Sequence, residues 1–175
     1  MLKKLYPVFF TALFLASCIS SHVNMKRLDQ SAFPPDFNNP KYVLLLQKRT
    51  EGLNHGGMNR YLSKYFRKYY GGKWEMASIE DINANPKYKD KEVYRYILTD
   101  EVWRSNSTVT TTSSTGTSIQ YNNAYRLGYH LYDRKSEQAL PDFGLDSNVP
   151  AKAMKKVANA LGQRLKADAN LQASK

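Results

Sequence analysis

The residues with reactive side chains are few, and their spacing limits what they can do. Cys18 is the only cysteine, and the three histidines, His22, His55 and His130, stand far apart without the paired ligand spacing of a zinc site, so no metal is expected. Carboxylates occur as Glu80 with Asp81, Asp100 with Glu101, and Asp133 with Glu137, each able to supply an acid and a base if it converged in space. Neighbouring residues of this kind usually point to opposite faces or lie in solvated turns. The triplet His55-Gly56-Gly57 echoes an oxyanion loop but has no Gly-x-Ser-x-Gly elbow to serve, and Asp142-Phe143-Gly144 stands without the other motifs of a kinase. Gly56 and Gly57 could turn backbone N–H groups toward an anion, yet no phosphate-loop lysine follows them. No catalytic residue and no cofactor is therefore assigned. The cations are more suggestive: Arg60, Lys64, Arg67 and Lys68 crowd one short stretch and are the candidates for binding an anion.

The elements that hold these residues can be read from periodicity. Tyr42 to Gln47 is a compact apolar run of strand length. Met58, Tyr61, Leu62, Tyr65, Phe66 and Tyr69 recur at the spacing of one helical face, which puts the four cations on the opposite, solvated side, and Gly71-Gly72 ends the helix. Residues 73–79 alternate Trp74, Met76 and Ser78 against Lys73, Glu75 and Ala77, as a half-buried strand does, so strand, helix and strand form a right-handed parallel crossover. A short helical turn capped by Ser78 and then a loop through Pro86 are expected next.

Residues 93–103 and 121–133 are rich in strand formers and should pair as a hairpin, with Leu127, Tyr129 and Leu131 facing one way and Arg126, His130 and Tyr132 the other. Between them, 11 of the 14 residues from Ser105 to Ser118 are Ser or Thr. Two readings of that stretch stay open: it extends the hairpin outward, or it forms a mobile loop. A last helix, with Pro150 in its first turn, buries Met154, Val157, Ala158, Leu161 and Leu165 and turns Lys152, Lys155, Lys156 and Lys166 outward.

At the amino end, Lys3 and Lys4 precede an apolar run from Leu5 to Ala16, the layout of a secretory signal. A helix over that run would measure only ~18 Å against a ~30 Å hydrocarbon core, too short to span it. The tetrapeptide Leu15-Ala16-Ser17-Cys18 resembles the lipobox of bacterial lipoproteins. That resemblance implies that residues 1–17 are removed and that Cys18 becomes a lipidated amino terminus. Ile19 in place of aspartate resembles the outer-membrane sorting signal of enteric bacteria, with a periplasmic or surface-exposed location. Lipidation also rules Cys18 out as a thiolate nucleophile. Residues 18–41, with a Pro-Pro pair and no sustained period, read as a tether, 42–170 as one domain and 171–175 as a tail.

The expected architecture is α+β, a two-layer sandwich in which a mixed sheet of four or five strands carries two helices on one face. A fold-level likeness goes with it: the element order and the stretch Tyr129 to Gly144, with Leu131 and Asp133 in place, resemble the small α/β domains of the penicillin-binding-protein activator and TolB amino-terminal type of envelope lipoprotein. Glu137 and Leu140 replace the glycine and tryptophan of that pattern, so no binding residue carries over.

With 26 Lys and Arg against 15 Asp and Glu the formal charge is +11, which favours anionic neighbours. For an exported chain these are lipid phosphates or acidic envelope polymers, and no nucleic acid partner is expected. The sequence thus points to a membrane-anchored, non-catalytic accessory module of the bacterial envelope. Its candidate surfaces are the Ser/Thr-rich hairpin tip, for an envelope protein partner, and the basic helix face, for an anionic envelope surface. The alternatives are a hydrolase of wall glycan working through a carboxylate pair, and a binder of anionic lipid or wall polymer.

Overall fold

A computed structural model of the chain describes residue 28 and residues 30–52, 54–114 and 116–173. Cys18, His22 and the stretch 1–17 read as a secretory signal lie outside the described residues. The elements run in the order β1 (Leu44–Gln47), α1 (His55–Tyr69), β2 (Trp74–Ala77), α2 (Ile79–Ala84), a 3-10 turn (Pro86–Lys89), β3 (Tyr96–Ser113), β4 (Gly116–Asp133), β5 (Gln138–Ala139) and α3 (Pro150–Ala173). The fold is α+β, built on one open five-stranded mixed sheet in the order β2-β1-β3-β4-β5.

β1 pairs in parallel with β2 on one side and β3 on the other, whereas β3–β4 and β4–β5 are antiparallel. From β1 the chain crosses to β2 through α1, then returns past β1 to β3 through α2. These crossovers move in opposite directions and lie on opposite faces of the sheet, as one handedness for both requires.

The face beneath α1 and α3 holds the main core. Leu44, Leu46, Tyr96, Leu98, Leu127, Tyr129 and Leu131 from the strands meet Leu62 and Phe66 of α1 and Met154, Val157 and Leu161 of α3. Period-two alternation on the strands and the 3.6-residue stripe on each helix bring these residues together, so the two long helices share one face as expected. The opposite face is covered over part of its area, by a smaller cluster in which Leu45 and Ile97 meet Ile82 of α2 and Tyr88 of the 3-10 turn. Ser78 caps α2, its Oγ accepting from the Asp81 N–H at 3.0 Å.

Gly162 is where α3 touches α1 backbone to backbone: a Cβ there would fall 2.0 Å from the carbonyl oxygen of Tyr69. Only glycine permits that approach.

The structure departs from the expected domain boundaries at both ends. Leu28, Ala32, Phe33 and Phe37 are buried in the main core, with Phe33 packed on Phe143 at 5.1 Å between ring centroids and Phe37 on Tyr96 at 6.0 Å. Two large aromatic side chains bury more apolar surface by docking than a tether can leave exposed at low cost, so the folded unit takes in most of the stretch read as tether. At the other end α3 runs to Ala173, past residue 170.

The Ser/Thr-rich stretch extends the hairpin. β3 and β4 pair without a break from Tyr96↔Asp133 to Ser113↔Gly116, eighteen residues on each strand.

Candidate functional site

The hairpin leaves the body at a braced base. Arg49, just past β1, makes an ion pair with Asp100 on β3. Its backbone is clamped to α1 by Asn59, whose Oδ1 accepts from the Arg49 N–H at 3.0 Å while Nδ2 donates to the Arg49 carbonyl at 2.8 Å. On the other strand Arg126 pairs with Asp146 at 2.6 Å, and Leu127 exchanges two backbone hydrogen bonds with Ser147 at 2.9 and 3.0 Å. A cavity of about 140 Å³ sits in this base, lined by Met58, Val102, Tyr125, Leu127, Asn148 and Pro150. Val102 and Tyr125 are 48% and 52% exposed, an unusual position for large apolar side chains.

Beyond that base the two strands pair only with each other among the described residues. β1 reaches β3 only at Ile97 and Leu98, and β5 reaches β4 only at Tyr132 and Asp133. From Trp103↔Arg126 to Ser113↔Gly116 the ribbon is therefore two strands wide, a length of ~35 Å at ~3.4 Å per residue. The sequence from Ser105 to Tyr125 contains no charged residue and no proline, and the register has no bulge. Natural edge strands are normally guarded by lysines, prolines or bulges. Outward from Ser105 and Ala124 both edges of this arm lack those guards.

The four cations singled out from the sequence all lie exposed on α1, a helix that contains no acidic residue. Among the described residues none of Arg60, Lys64, Arg67 and Lys68 has a carboxylate within ion-pair distance. Tyr61 departs from the expected helix face: it is 43% exposed and stacks on Tyr65 at 6.3 Å between centroids.

The carboxylate pairs do not converge. Asp100 is bound to Arg49 on the face beneath the helices while Glu101, one residue on, points to the other side of the sheet. Asp133 is buried and held by Arg95, whose Nε and Nη2 donate to its two oxygens at 3.0 and 2.7 Å, whereas Glu137 is exposed and pairs with Lys91 at 3.0 Å. Burial works against the Asp133 carboxylate, but Arg95 and the Lys135 N–H outweigh it and hold its pKa below the ordinary value. Such a group stays ionised and donates no proton. Glu80 and Asp81 are both exposed on α2.

Arg95 also reaches Asp36 and, at 3.2 Å, the Tyr42 hydroxyl, while the Tyr42 and Tyr96 hydroxyls donate to Asp36 at 2.8 and 2.6 Å. This network pins the chain before β1 to the end of β3 and β4 opposite the arm. His130 lies against Thr99 across the strands, Nε2 to Oγ1 at 2.7 Å, and His55 Nδ1 lies 3.1 Å from the Gly52 carbonyl in the turn before α1. Among the described residues no group of His, Cys, Asp and Glu could hold a metal ion, and no helix is long and apolar enough to cross a membrane. A cavity of about 370 Å³ lies between α2 and β4, with a floor of Ile79, Ile82, Ile97 and Tyr132.

The sequence reading missed Arg49, Asn59, Arg95 and Asp36. Each acts through a partner remote in the chain, 51 residues away for Arg49 and 59 for Arg95 with Asp36, and no local spacing signals such a pair.

Comparison with known proteins finds no matching family model, no similar curated protein and no similar solved structure.

Proposed function

We propose that this chain is a lipid-anchored, non-catalytic interaction module of the bacterial envelope that presents the β3–β4 arm to a protein partner. The observation that carries the reading is the arm itself: a ~35 Å ribbon with two unguarded edges and no charge from Ser105 to Tyr125. A two-stranded hairpin is marginally stable alone in water, and an exposed ladder edge pairs readily with an added strand. The braced base supports the same reading, because it fixes the heading of the arm relative to the body. The anchor rests on the lipobox resemblance at Cys18.

Photo-crosslinking in the native cell tests the proposal. A crosslinking side chain at Thr112 or Thr117 should give a discrete protein adduct, and one at Asn83, beside the cavity between α2 and β4, should give none. Adducts from position 83 with none from the arm would overturn it.

A further inference from the structure

α1 carries a second pattern beside its buried Leu62 and Phe66, in which Tyr65 and Tyr69 pack partly against the core and Tyr61 is exposed. Tyr61, Tyr65 and Tyr69 follow at four-residue intervals, and each is preceded by a cation: Arg60, Lys64 and Lys68. Two rows therefore run along the helix side by side, one aromatic and one basic. The tyrosines form a ladder, with Tyr61 on Tyr65 at an interplanar angle of 18° and Tyr65 on Tyr69 at 28°, both at 6.3 Å between centroids. Lys68 Nζ lies 5.3 Å from the Tyr69 ring centre and Lys155 Nζ of α3 lies 5.9 Å from it, so the patch continues onto the second helix.

The charge of the molecule is concentrated here. α1 and α3 together hold nine lysines and arginines against one acid, Asp168, which is buried and bound to Arg164 at 3.0 Å. Most of the formal charge of +11 thus sits on the helical layer. A solvated surface needs mixed charge, and a ladder of half-exposed aromatic rings adds apolar cost in water. Both features suit one environment. Tyrosine places an apolar ring and a polar tip at the headgroup level of a bilayer, and Lys and Arg reach the phosphates while their stems cover apolar surface.

We infer that the α1 face bearing Tyr61, Tyr65 and Tyr69 with Arg60, Lys64 and Lys68 docks on an anionic lipid surface. The inference deepens the membrane-anchored reading above and rests on it for the setting, but the contact itself needs no acyl chain. Residues 19–27 could separate Cys18 from Leu28 by no more than ~36 Å, which keeps this face within reach of the bilayer. α1 runs antiparallel to the strands it connects, so a bilayer against it lies parallel to the sheet. The arm then heads along the membrane surface, toward a partner seated in or on the same membrane.

Vesicle flotation with the chain from Ile19 onward tests the inference, since every described core residue lies at or after Leu28. The chain should float with phosphatidylglycerol-containing vesicles and not with pure phosphatidylcholine, and high salt should weaken the binding. Arg60, Lys64, Arg67 and Lys68 changed together to Gln should lower affinity several hundredfold, about fivefold per cation, with the melting temperature unchanged. Tyr61→Ser should lower it severalfold at constant charge, and Tyr61→Trp should raise it. No binding to the anionic vesicles, or equal binding to the neutral ones, overturns the inference. So does equal capture by immobilised polyglutamate with no effect at Tyr61, which would mark general polyanion exchange. Lipid labelling at Cys18 reads the anchor separately, so failure of the anchor and failure of the face are told apart.

Discussion

Arg95 holds three parts of the chain at once: Asp133 at the end of β4, Asp36 in the segment before β1, and the Tyr42 hydroxyl. The side chain of Asp133 is only 7% exposed, so Arg95→Met leaves a buried carboxylate without its counter-ion. The expected cost is about 3 kcal/mol, read as a lower urea midpoint at unchanged slope. Asp133→Asn combined with Arg95→Met should recover part of that loss, because the stranded charge is gone. The same cluster sets the acid response. Burial opposes ionisation of Asp36, but the Tyr96 and Tyr42 hydroxyls and Arg95 more than offset it, so its pKa, like that of Asp133, is lower in the folded chain than the ordinary 3.8. The unfolded chain therefore takes up protons first as pH falls. The stability from these two groups is complete above about 3.8 and is lost as pH drops through their folded values. Asp142 has the opposite sign, since burial raises its pKa, and ionising it above 3.8 weakens the fold slightly. A melting-temperature series should be flat near neutrality and fall below pH 4, and Asp36→Asn should flatten part of the fall.

At the level of elements, two glycines of the helices should respond in opposite ways. Gly162→Ala drives a methyl into the Tyr69 carbonyl and should destabilise by about 2 kcal/mol, whereas a Cβ at Gly56, in the first turn of α1, meets nothing and should add up to about 1 kcal/mol. Thermal denaturation of the two variants checks the packing of α3 on α1. The arm is separable in the same sense: beyond the base its two strands pair only with each other among the described residues, so replacing residues 104–125 with a two-residue turn should leave the melting temperature within a few degrees while removing arm crosslinks. Helices α1 and α3 and the base of the hairpin were legible in the sequence because each buries one face and so repeats its apolar residues with a fixed period. Phe33 and Phe37 carried no such signal. They enter the core singly, between prolines and polar residues, and only partners far along the chain, Phe143 for Phe33 and Tyr96 for Phe37, decide that they are buried. Tyr61 was misplaced for the reverse reason: it holds the helical period of the core face but lies past the edge of the layer beneath.

For the whole molecule, anchoring gives a prediction of its own. Cys18→Ala should abolish radiolabelled acyl incorporation and leave unprocessed precursor, because the thiol alone accepts the lipid; normal labelling would overturn the anchor. Two chains on one residue supply stable attachment where a single chain is marginal. Any soluble form has to begin at or before Leu28, since a start near Ser31 would remove a buried core residue. The carboxylates gave the sequence reading an enzymatic alternative, and the fold separates the partners of two of the expected pairs: strand alternation sends Asp100 and Glu101 to opposite faces, and Arg95 claims Asp133. Spacing along a chain cannot foresee which acids an arginine many residues away will neutralise.

The clamp between Asp36 and Arg95 acquires a mechanical meaning once its position is considered. Arg95 immediately precedes β3, and β3 continues without interruption into the arm. A pull between the amino end and a partner holding the arm would enter β3 lengthwise. The ladder bonds to β4 lie across that direction and would share the force together, as rungs sheared side by side, instead of opening one at a time from an end. The body would then transmit tension between those two points as a strut, with the docked segment from Leu28 to Phe33 as the first joint to meet the load and the Asp36–Arg95 junction as the next.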